Sequence, residues 1–459
     1  MTTVPNSAAA RDIAYLTHPN SNFREHESLG PLVIDRGEGI YVYDDQGNQY
    51  IEGLAGLWSV AVGFRNERLI RAMAEQMEKL PFYHTFMNKS HGPAIDLAEK
   101  LVQMTPRRLQ HVLFANSGSE ANDTAIKVAW YYNHSRGMPQ KRKFISRSPS
   151  FHGITVAAAS LTGNPINHHG FGLPLPGFIH VTCPHYYRNA LAGETEEEFS
   201  TRLANELEEV ILREGPSTVA AFLGEPLMGG GGVIVPPTGY WDKVQAVCRK
   251  YDVLVVVDEV INGFGRLGQL FGSDVFDIDP DMMTLSKAIT SSYQPLSALL
   301  ISDAIYQHVA DETDRAGSFG HGYTTAGHPV ATAAALANLR IIEEDGLVEN
   351  ARRMGALLHE RLGEFADHPM VGEIRGIGLI AGIELVADKA TKRPFDPAGA
   401  VGAHLAMRAQ QEQRLILRAL GDTIALSPPL IIDADQVEDM VSRLCRALDD
   451  TYETFGHTL

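Results

Sequence analysis

Residues 253–257 read Val-Leu-Val-Val-Val, a continuous apolar run bounded by Asp252 and Asp258. A run this short and this rich in β-branched residues predicts a strand buried on both faces, as in a parallel sheet. Ligands bind beyond the carboxyl ends of such strands, so we expect Asp258 to face a ligand. A second short apolar run, residues 282–285, ends just before Lys287 and places an amine at the end of a candidate neighbouring strand.

A lysine and an aspartate at the mouth of one sheet are the two groups that pyridoxal phosphate (PLP) requires. Lys287 would hold the cofactor as a Schiff base, and Asp258 would keep its ring nitrogen protonated. The same lysine could shuttle a proton once displaced, provided that burial or nearby charge lowers its pKa. Taken alone, the two residues could also be ordinary residues at strand ends. Motifs elsewhere in the chain are needed to distinguish this interpretation from a PLP site.

Strands and helices alternate along the middle of the chain. Further strands are predicted at residues 112–115, 143–147 and 219–225, and a short one at residues 415–418 nearer the end of the chain. Helices are predicted at residues 67–80, 195–213, 240–251 and 330–343. This alternation predicts an α/β fold with a mostly parallel sheet covered by helices on both faces. Residues 163–193 are expected to form a long loop, and residues 1–30 an irregular polar arm.

A small polar loop, Ser117-Gly118-Ser119-Glu120, follows the first of these strands and leads into a helix that runs to about residue 132. Ser117 and Glu120 have the spacing of a capping box, which would simply begin the helix. A strand, a Ser-Gly-Ser loop and a helix N-terminus also form an anion site of free N–H groups and hydroxyls. Both interpretations stay open at this point.

Two aromatic residues also allow two interpretations each. Phe151 follows the predicted strand at 143–147 and could stack on a planar cofactor, although a core phenylalanine is the more common explanation. Phe86 lies in the aromatic segment 81–86, which could belong to the core or form the wall of a pocket.

The segment from Gly263 to Gly268 fits the G-x-G-x-x-G pattern of dinucleotide-binding proteins. That motif should open a helix at once, but the residues that follow include Gly272 and Pro280. A nicotinamide-dependent dehydrogenase is therefore a weakly supported alternative. The tract Gly229–Gly232 has no Lys-Ser/Thr after it and is not a P-loop.

The chain of 459 residues carries a formal net charge of −17. This charge disfavours a nucleic-acid or anionic-membrane surface, so any phosphate must be held locally. Cys183, Cys248 and Cys445 are far apart, show no metal-ligand spacing and favour a reducing compartment. Residues 1–19 lack a basic-then-apolar signal pattern, and no run of about 18 apolar residues suggests a membrane span. We therefore expect a cytoplasmic protein with no metal, nucleic-acid or membrane partner.

Several short motifs occur in a fixed order along the chain. They are Ser117-Gly-Ser-Glu, Phe151-His-Gly, Gly224-Glu-Pro, Asp258-Glu-Val-Ile, Ser286-Lys-Ala, Tyr323-Thr and Arg418. Together, from about Gly37 to Leu430, they resemble the class III aminotransferases, in particular the amine–pyruvate or ω-transaminase branch. The resemblance implies the PLP-dependent transferase fold type I, with a mostly parallel seven-stranded sheet in a large domain.

The resemblance also implies a domain organisation. The large PLP-binding domain would span residues 67–340. A smaller α+β domain would span residues 341–459, and the N-terminal arm and hairpin of residues 1–66 would pack with it.

The same resemblance assigns cofactor-binding roles to individual residues. Lys287 would be the Schiff-base lysine and Asp258 the partner of the ring nitrogen, with Val260 and Phe151 on the two ring faces. Gly118 and Ser119 would bind the phosphate, and Thr324 would reach it from the partner subunit, which implies an obligate homodimer with shared active sites. Further cofactor-binding positions implied by the motifs are Ser117, His152, Glu225 and Tyr323.

Substrate binding is implied at a second set of positions. Trp58, Phe86, Phe151 and Tyr323 would line the pocket. Arg418 would bind a substrate carboxylate through its planar fork and swing aside for an uncharged amine, although a surface arginine is the alternative. Many relatives have a glutamine where this chain has Met228, and methionine cannot donate the same hydrogen bond.

The expected activity is transfer of an amino group from an amine or ω-amino acid to a keto acid such as pyruvate, with ping-pong kinetics. An aminomutase or decarboxylase of the same fold stays open, and consumption of a separate keto acid would distinguish them. A protein that only binds its ligand is disfavoured because both Lys287 and Asp258 are present.

Overall fold

The computed structural model describes residues 6–106 and 108–456. The first five residues of the predicted arm and the last three of the predicted small domain lie outside the described residues. Within the described ranges, no helix is both long enough and apolar enough to cross a membrane.

The strands of the described residues are, in chain order, β1 Ile34–Glu38, β2 Tyr41–Asp44, β3 Gln49–Glu52, β4 Leu109–Ala115, β5 Lys143–Ser148, β6 Phe178–Thr182, β7 Val219–Gly224, β8 Leu254–Asp258, β9 Met282–Leu285, β10 Ser297–Ser302, β11 Val371–Gly376, β12 Ala381–Leu385, β13 Leu415–Ile416, β14 Arg418–Leu420 and β15 Thr423–Leu426.

The helices are α1 Ala8–Tyr15, α2 Phe23–Leu29, α3 Ala55–Trp58, α4 Glu67–Lys79, α5 Gly92–Met104, α6 Gly118–Ser135, α7 Val156–Leu161, α8 Tyr186–Asn189, α9 Glu196–Glu214, α10 Tyr240–Lys250, α11 Gly272–Val275, α12 Asp303–Ala316, α13 Pro329–Glu344, α14 Leu347–Gly363, α15 Ala400–Gln413 and α16 Ala434–Phe455.

The large sheet has seven strands in the order β4-β10-β9-β8-β7-β5-β6. Its pairings are parallel except at β10, which runs antiparallel to both β4 and β9. The central strand β8 is buried along its whole length. Val255 and Val257 pack into the cluster that contains α9 and α10, whereas Leu254 and Val256 pack against α6 on the opposite face. The predicted α/β fold with a mostly parallel, helix-covered sheet is confirmed.

Two smaller sheets flank this layer. One is antiparallel, in the order β11-β12-β15-β14, and the other joins the N-terminal strands in the order β1-β2-β3-β13. In the second sheet Leu415 of β13 pairs in parallel with Ile51 of β3, so the two ends of the chain share one sheet. The domain boundaries at residues 67, 340 and 341 stay a prediction.

Three sequence predictions about secondary structure were wrong. The expected loop at 163–193 contains β6, a partly exposed edge strand without an unbroken apolar run. The expected single strand at 415–418 is divided between two sheets, because β13 pairs with β3 whereas β14 pairs with β15. The arm is not irregular throughout, since Ser7 and Asn22 cap the short helices α1 and α2.

Candidate active site

The site lies where β8 and β9 end side by side. Asp258, the last residue of β8, pairs with Thr284 of β9 in parallel register. Lys287 then opens a single 3₁₀ turn and has a φ of 46°, in the left-handed region that lysine rarely occupies. This turn follows the strand at once and keeps the amine at the carboxyl edge of the sheet.

Asp258 is buried and accepts three hydrogen bonds. His152 Nδ1 lies 2.8 Å and Asn122 Nδ2 2.9 Å from Oδ2, and the backbone N–H of Val260 donates to Oδ1 at 3.1 Å. Burial alone would raise the pKa of Asp258, but the hydrogen bond and charge of His152, aided by the other two donors, hold it below its ordinary value. Asp258 is therefore a carboxylate in the ionised state.

Asn122 is a contact that sequence reasoning missed. It lies in α6 and also donates to the backbone carbonyl of His152, at 2.7 Å. Its neighbours on the buried face of α6 are Ala121 and Ala125. A polar residue among alanines on the core face of a helix was the signal that could have identified it.

Lys287 is surrounded by charged groups of both signs. Burial lowers the pKa of its amine, and the positive charge of Arg418 lowers it further. The negative charges of Asp258 and Glu225 raise this pKa but do not offset the burial. The structure thus brings four predicted residues from distant parts of the chain into electrostatic contact.

The loop at Ser117 begins α6 close to the carboxylate of Asp258. Ser117 Oγ accepts from the N–H of Glu120 at 3.2 Å. The capping box is only half formed, because the carboxylate of Glu120 accepts from Asn116 instead of from Ser117. Ser119 Oγ accepts from the N–H of Ile154 at 3.0 Å.

Glycines allow this loop to approach its neighbours closely. A Cβ on Gly118 would lie 3.3 Å from both methyl groups of Val260. A Cβ on Gly153 would lie 2.4 Å from Ser119 Oγ. The free N–H groups at the start of α6 therefore stand close to Val260 and to the end of β8.

Phe151 and Glu225 are linked through the backbone. The N–H of Phe151 donates to Glu225 Oε1 at 3.3 Å, and that of Gly229 donates to Oε2 at 2.7 Å. Burial raises the pKa of Glu225. The side chain of Phe151 is 37% exposed, so it is not a core phenylalanine.

Trp58 and Arg418 come from the N-terminal and C-terminal parts of the chain. Trp58 is buried with Leu227 and Ile261 and has a φ of 64°. Arg418 opens β14 and is half-buried. Among the residues that the structure describes, no hydrogen-bond or ion-pair partner reaches its guanidinium group.

Phe86, Tyr323 and Thr324 form a separate group. Phe86 and Thr324 are exposed, and a Cβ on Gly322 would lie 3.0 Å from the Phe86 ring. The hydroxyl of Tyr323 donates to the carbonyl of Glu120 at 3.2 Å. These residues lie together near the first turn of α6, on the outside of the chain.

The glycine segment that fits the dinucleotide pattern opens no helix. Its Gly265 faces Leu430 and Val348, and a Cβ on Gly268 would lie 3.2 Å from Arg352 Cα. Protein atoms therefore fill the space that a dinucleotide would need, and the structure does not support the dehydrogenase alternative.

The residues present fit PLP. An ionised, buried Asp258 that accepts only N–H donors suits a protonated ring nitrogen, and the start of α6 with Ser119 suits a phosphate. Two buried atoms at this place, Asn122 Oδ1 and His152 Nε2, have no hydrogen-bond partner among the described residues. These two atoms can therefore still form hydrogen bonds to a bound molecule.

Comparison with known proteins agrees with this geometry. Residues 23–448 match the family described as aminotransferase class-III. A probable gamma-aminobutyrate transaminase 3, mitochondrial, from Oryza sativa subsp. indica is 49% identical over 426 residues, which cover 93% of this chain and 83% of that protein.

Solved structures are also similar. An omega transaminase from Pseudomonas jessenii in complex with PMP superposes with a TM-score of 0.97 and 59% identity, covering 98% of this chain and 99% of that chain. A thermostable omega transaminase in which one tryptophan is replaced by glycine, engineered for asymmetric synthesis of enantiopure bulky amines, gives a TM-score of 0.96 and 59% identity over 97% of this chain and 99% of that chain. The chain therefore belongs to the class III aminotransferases, which are PLP-dependent transaminases.

Proposed function

We propose that this transaminase moves an amino group from an amine or ω-amino acid to a keto acid such as pyruvate. The observation that carries the proposal is Arg418, a half-buried guanidinium without a partner among the described residues, whose charge acts on Lys287. A guanidinium binds a carboxylate with two parallel hydrogen bonds. Relatives named gamma-aminobutyrate transaminase and omega transaminase support a donor whose amine is remote from any carboxylate.

When bound, PLP supplies an electron sink for the negative charge left on the substrate carbon after proton removal. Asp258 would hold the ring nitrogen in its protonated form. Ser119 and the N–H groups at the start of α6 would hold the phosphate, and Val260 and Phe151 would flank the ring.

Lys287 would anchor the cofactor and then move the proton from the substrate carbon. A base must be neutral to accept a proton, and an ordinary lysine is almost wholly charged at neutral pH. Burial and the charge of Arg418 lower the pKa of Lys287, which raises the fraction of neutral amine.

The half-reactions give a direct test. Purified, PLP-loaded enzyme is given an amine donor without keto acid, and both the visible band of the cofactor and the released carbonyl product are measured. We expect the band to bleach, one product per active site, and recovery of the band after pyruvate is added. Continuous product formation without keto acid would instead indicate a decarboxylase or aminomutase.

The variant Lys287→Ala separates chemistry from binding in the same assay. We expect turnover of the donor by this variant to fall about 10² to 10⁴-fold, which is the usual contribution of a general acid–base group. Lys250→Ala, which removes an exposed lysine paired with Glu208, is the matched control. Turnover by Lys287→Ala at the normal rate would disprove the role of this lysine.

We further propose an obligate homodimer with shared active sites, in which Phe86, Tyr323 and Thr324 complete the partner's site. Exposed apolar side chains beside Phe86, such as Tyr83 and Met87, support an interface at this surface, because apolar patches on a protein commonly mark contacts with other chains.

Subunit complementation tests the sharing. Lys287→Ala and Thr324→Arg are each expected to be inactive, and we mix the two proteins and allow their subunits to exchange. If Thr324 acts in the partner's site, the mixed dimer contains one site with both residues intact, and activity returns. No recovery in dimers shown to have exchanged would contradict the shared site.

We also propose a reducing compartment, the cytoplasm, as its location. All three cysteines are free, and two of them are buried. Fractionation of cells that express the full chain tests the proposal, and recovery of the protein in an organelle fraction would contradict it.

A further inference from the structure

The N-terminal arm has little core to hold it. Helices α1 and α2 contain eight and seven residues, and neither buries a side chain fully. Helices this short are marginal in water without tertiary support. The described contacts between them converge on Asp12 of α1, which faces one histidine from the connecting segment and one from α2.

The geometry of this cluster is specific. His18 Nε2 and His26 Nε2 each lie 2.9 Å from the same oxygen, Asp12 Oδ1. The two imidazole rings are 4.2 Å apart between centroids. One ligand atom from each of the three residues lies within 4.8 Å of the other two.

We propose that Asp12, His18 and His26 form a binding site for a late first-row divalent metal ion, with Zn²⁺ as the probe. Two imidazole nitrogens and one carboxylate oxygen suit Zn²⁺, Ni²⁺ or Cu²⁺, whereas Mg²⁺ and Ca²⁺ prefer oxygen ligands throughout. Three protein ligands leave a fourth tetrahedral position for water.

Metal binding requires the three side chains to turn toward the ion. Zinc binds nitrogen and oxygen at about 2.0 to 2.2 Å, which separates ligand atoms in a tetrahedral site by about 3.3 Å. The two nitrogen–oxygen separations of 2.9 Å are a few tenths of an ångström shorter than this, and both imidazole rings must also turn so that their lone pairs point at the ion instead of at Asp12 Oδ1. The three side chains are partly exposed, so an ion can reach them.

A second cluster, of one histidine and two glutamates, is less suited to a metal ion because a positive side chain lies beside it. His185 lies near Glu373 and Glu384, but Arg375 pairs with both carboxylates, at 2.7 and 2.5 Å. An added cation would meet that guanidinium. Among the described residues, Asp12 has no lysine or arginine in an ion pair, so its negative charge is available to a metal.

The metal would tie α1 to α2 without touching the catalytic groups. Its test uses untagged, PLP-loaded enzyme stripped of metal with a chelator and titrated with Zn²⁺ by calorimetry. We expect one Zn²⁺ per chain, with at least about tenfold weaker binding in His18→Ala and His26→Ala, because even indirect support of a metal ligand is worth that much.

Two matched controls and one further site variant accompany these measurements. His134→Ala removes an exposed histidine of α6, and Cys445→Ser removes the partly exposed thiol. Both should bind Zn²⁺ as the parent does. Asp12→Asn keeps the shape of the side chain and should weaken binding as the histidine variants do.

A structural readout accompanies the titration. Zn²⁺, but not Mg²⁺, should slow proteolysis of the arm in the parent enzyme and have no effect in His26→Ala. The proposal is overturned if no stoichiometric Zn²⁺ binds, if His18→Ala and His26→Ala bind it unchanged, or if Mg²⁺ protects the arm equally.

Discussion

His152 Nδ1 lies 2.8 Å from Asp258 Oδ2, and both side chains are buried. The bond joins the segment after β5 to the end of β8, across the intervening strand β7. Burial works to raise the pKa of Asp258, and His152 makes the largest opposing contributions. His152 therefore contributes most among the groups that favour the charged form of Asp258.

Replacing His152 by Ala should raise the pKa of Asp258. A carboxylate with a lowered pKa contributes stability above its unfolded value of about 3.9, and this stability is lost as pH falls through the lower folded value. In His152→Ala the folded pKa rises, so this carboxylate contributes less stability. Urea stability near neutral pH should therefore fall, and the acid limb of kcat/KM should move to higher pH. Asn122→Ala, which removes a weaker donor, should move it less, and an unmoved limb would contradict the assignment.

The positions of Asp258 and Lys287 could be predicted from the sequence for a physical reason. Central strands of a parallel sheet are buried on both faces, so β8 follows an unbroken apolar run and β9 is apolar apart from Thr284. The first charged side chain of each segment, Asp258 or Lys287, then marks where the strand ends. The observed β8, Leu254–Asp258, differs from the predicted run by one residue.

Other features depend on contacts that local patterns do not contain. The edge strand β6 has a partly exposed burial pattern and resembles a loop. Strand β10 lies antiparallel between β4 and β9. This position depends on which strands pair with β10, and the local sequence of β10 does not determine it. The pairing of Asn122 with Asp258 joins residues 136 positions apart, so no spacing rule could have identified it.

Arg418→Ala should discriminate between the two substrates. A hydrogen bond to a charged group contributes about 1.5 to 3 kcal/mol, which corresponds to about 10 to 100-fold in kcat/KM for the keto acid. Use of a plain amine should fall less, because it has no carboxylate and loses only the effect of Arg418 on the pKa of Lys287. For the keto acid, Arg418→Lys, which keeps the charge but loses the planar fork, should have a kcat/KM between those of the parent and of Arg418→Ala. Equal losses for both substrates would exclude dual recognition.

Gly153→Ala should weaken PLP binding by displacing Ser119. Gly153 has a φ of 129°, and the added Cβ would lie 2.4 Å from Ser119 Oγ, which accepts from Ile154. Gly137→Ala has a positive φ as well but open space around its Cβ, so it reports the backbone strain alone, about 1 to 2 kcal/mol. PLP dissociation measured for both variants separates the effects, and equal PLP affinity would show that Ser119 is not needed.

Met228→Gln tests the position at which the family resemblance leads us to expect a glutamine. Met228 is fully buried with Cys183 and Ile234, and its terminal carbon would lie 3.3 Å from a Cβ on Gly231. An amide placed there without partners should cost about 1 to 3 kcal/mol of unfolding free energy, whereas Met228→Leu should cost less than about 1.5 kcal/mol. We expect urea unfolding of the PLP-loaded protein to show this order, with no gain in PLP affinity for the glutamine variant. Tighter PLP binding by Met228→Gln would instead mean that the side chain reaches the cofactor, and that the methionine has removed a contact instead of filling an apolar space.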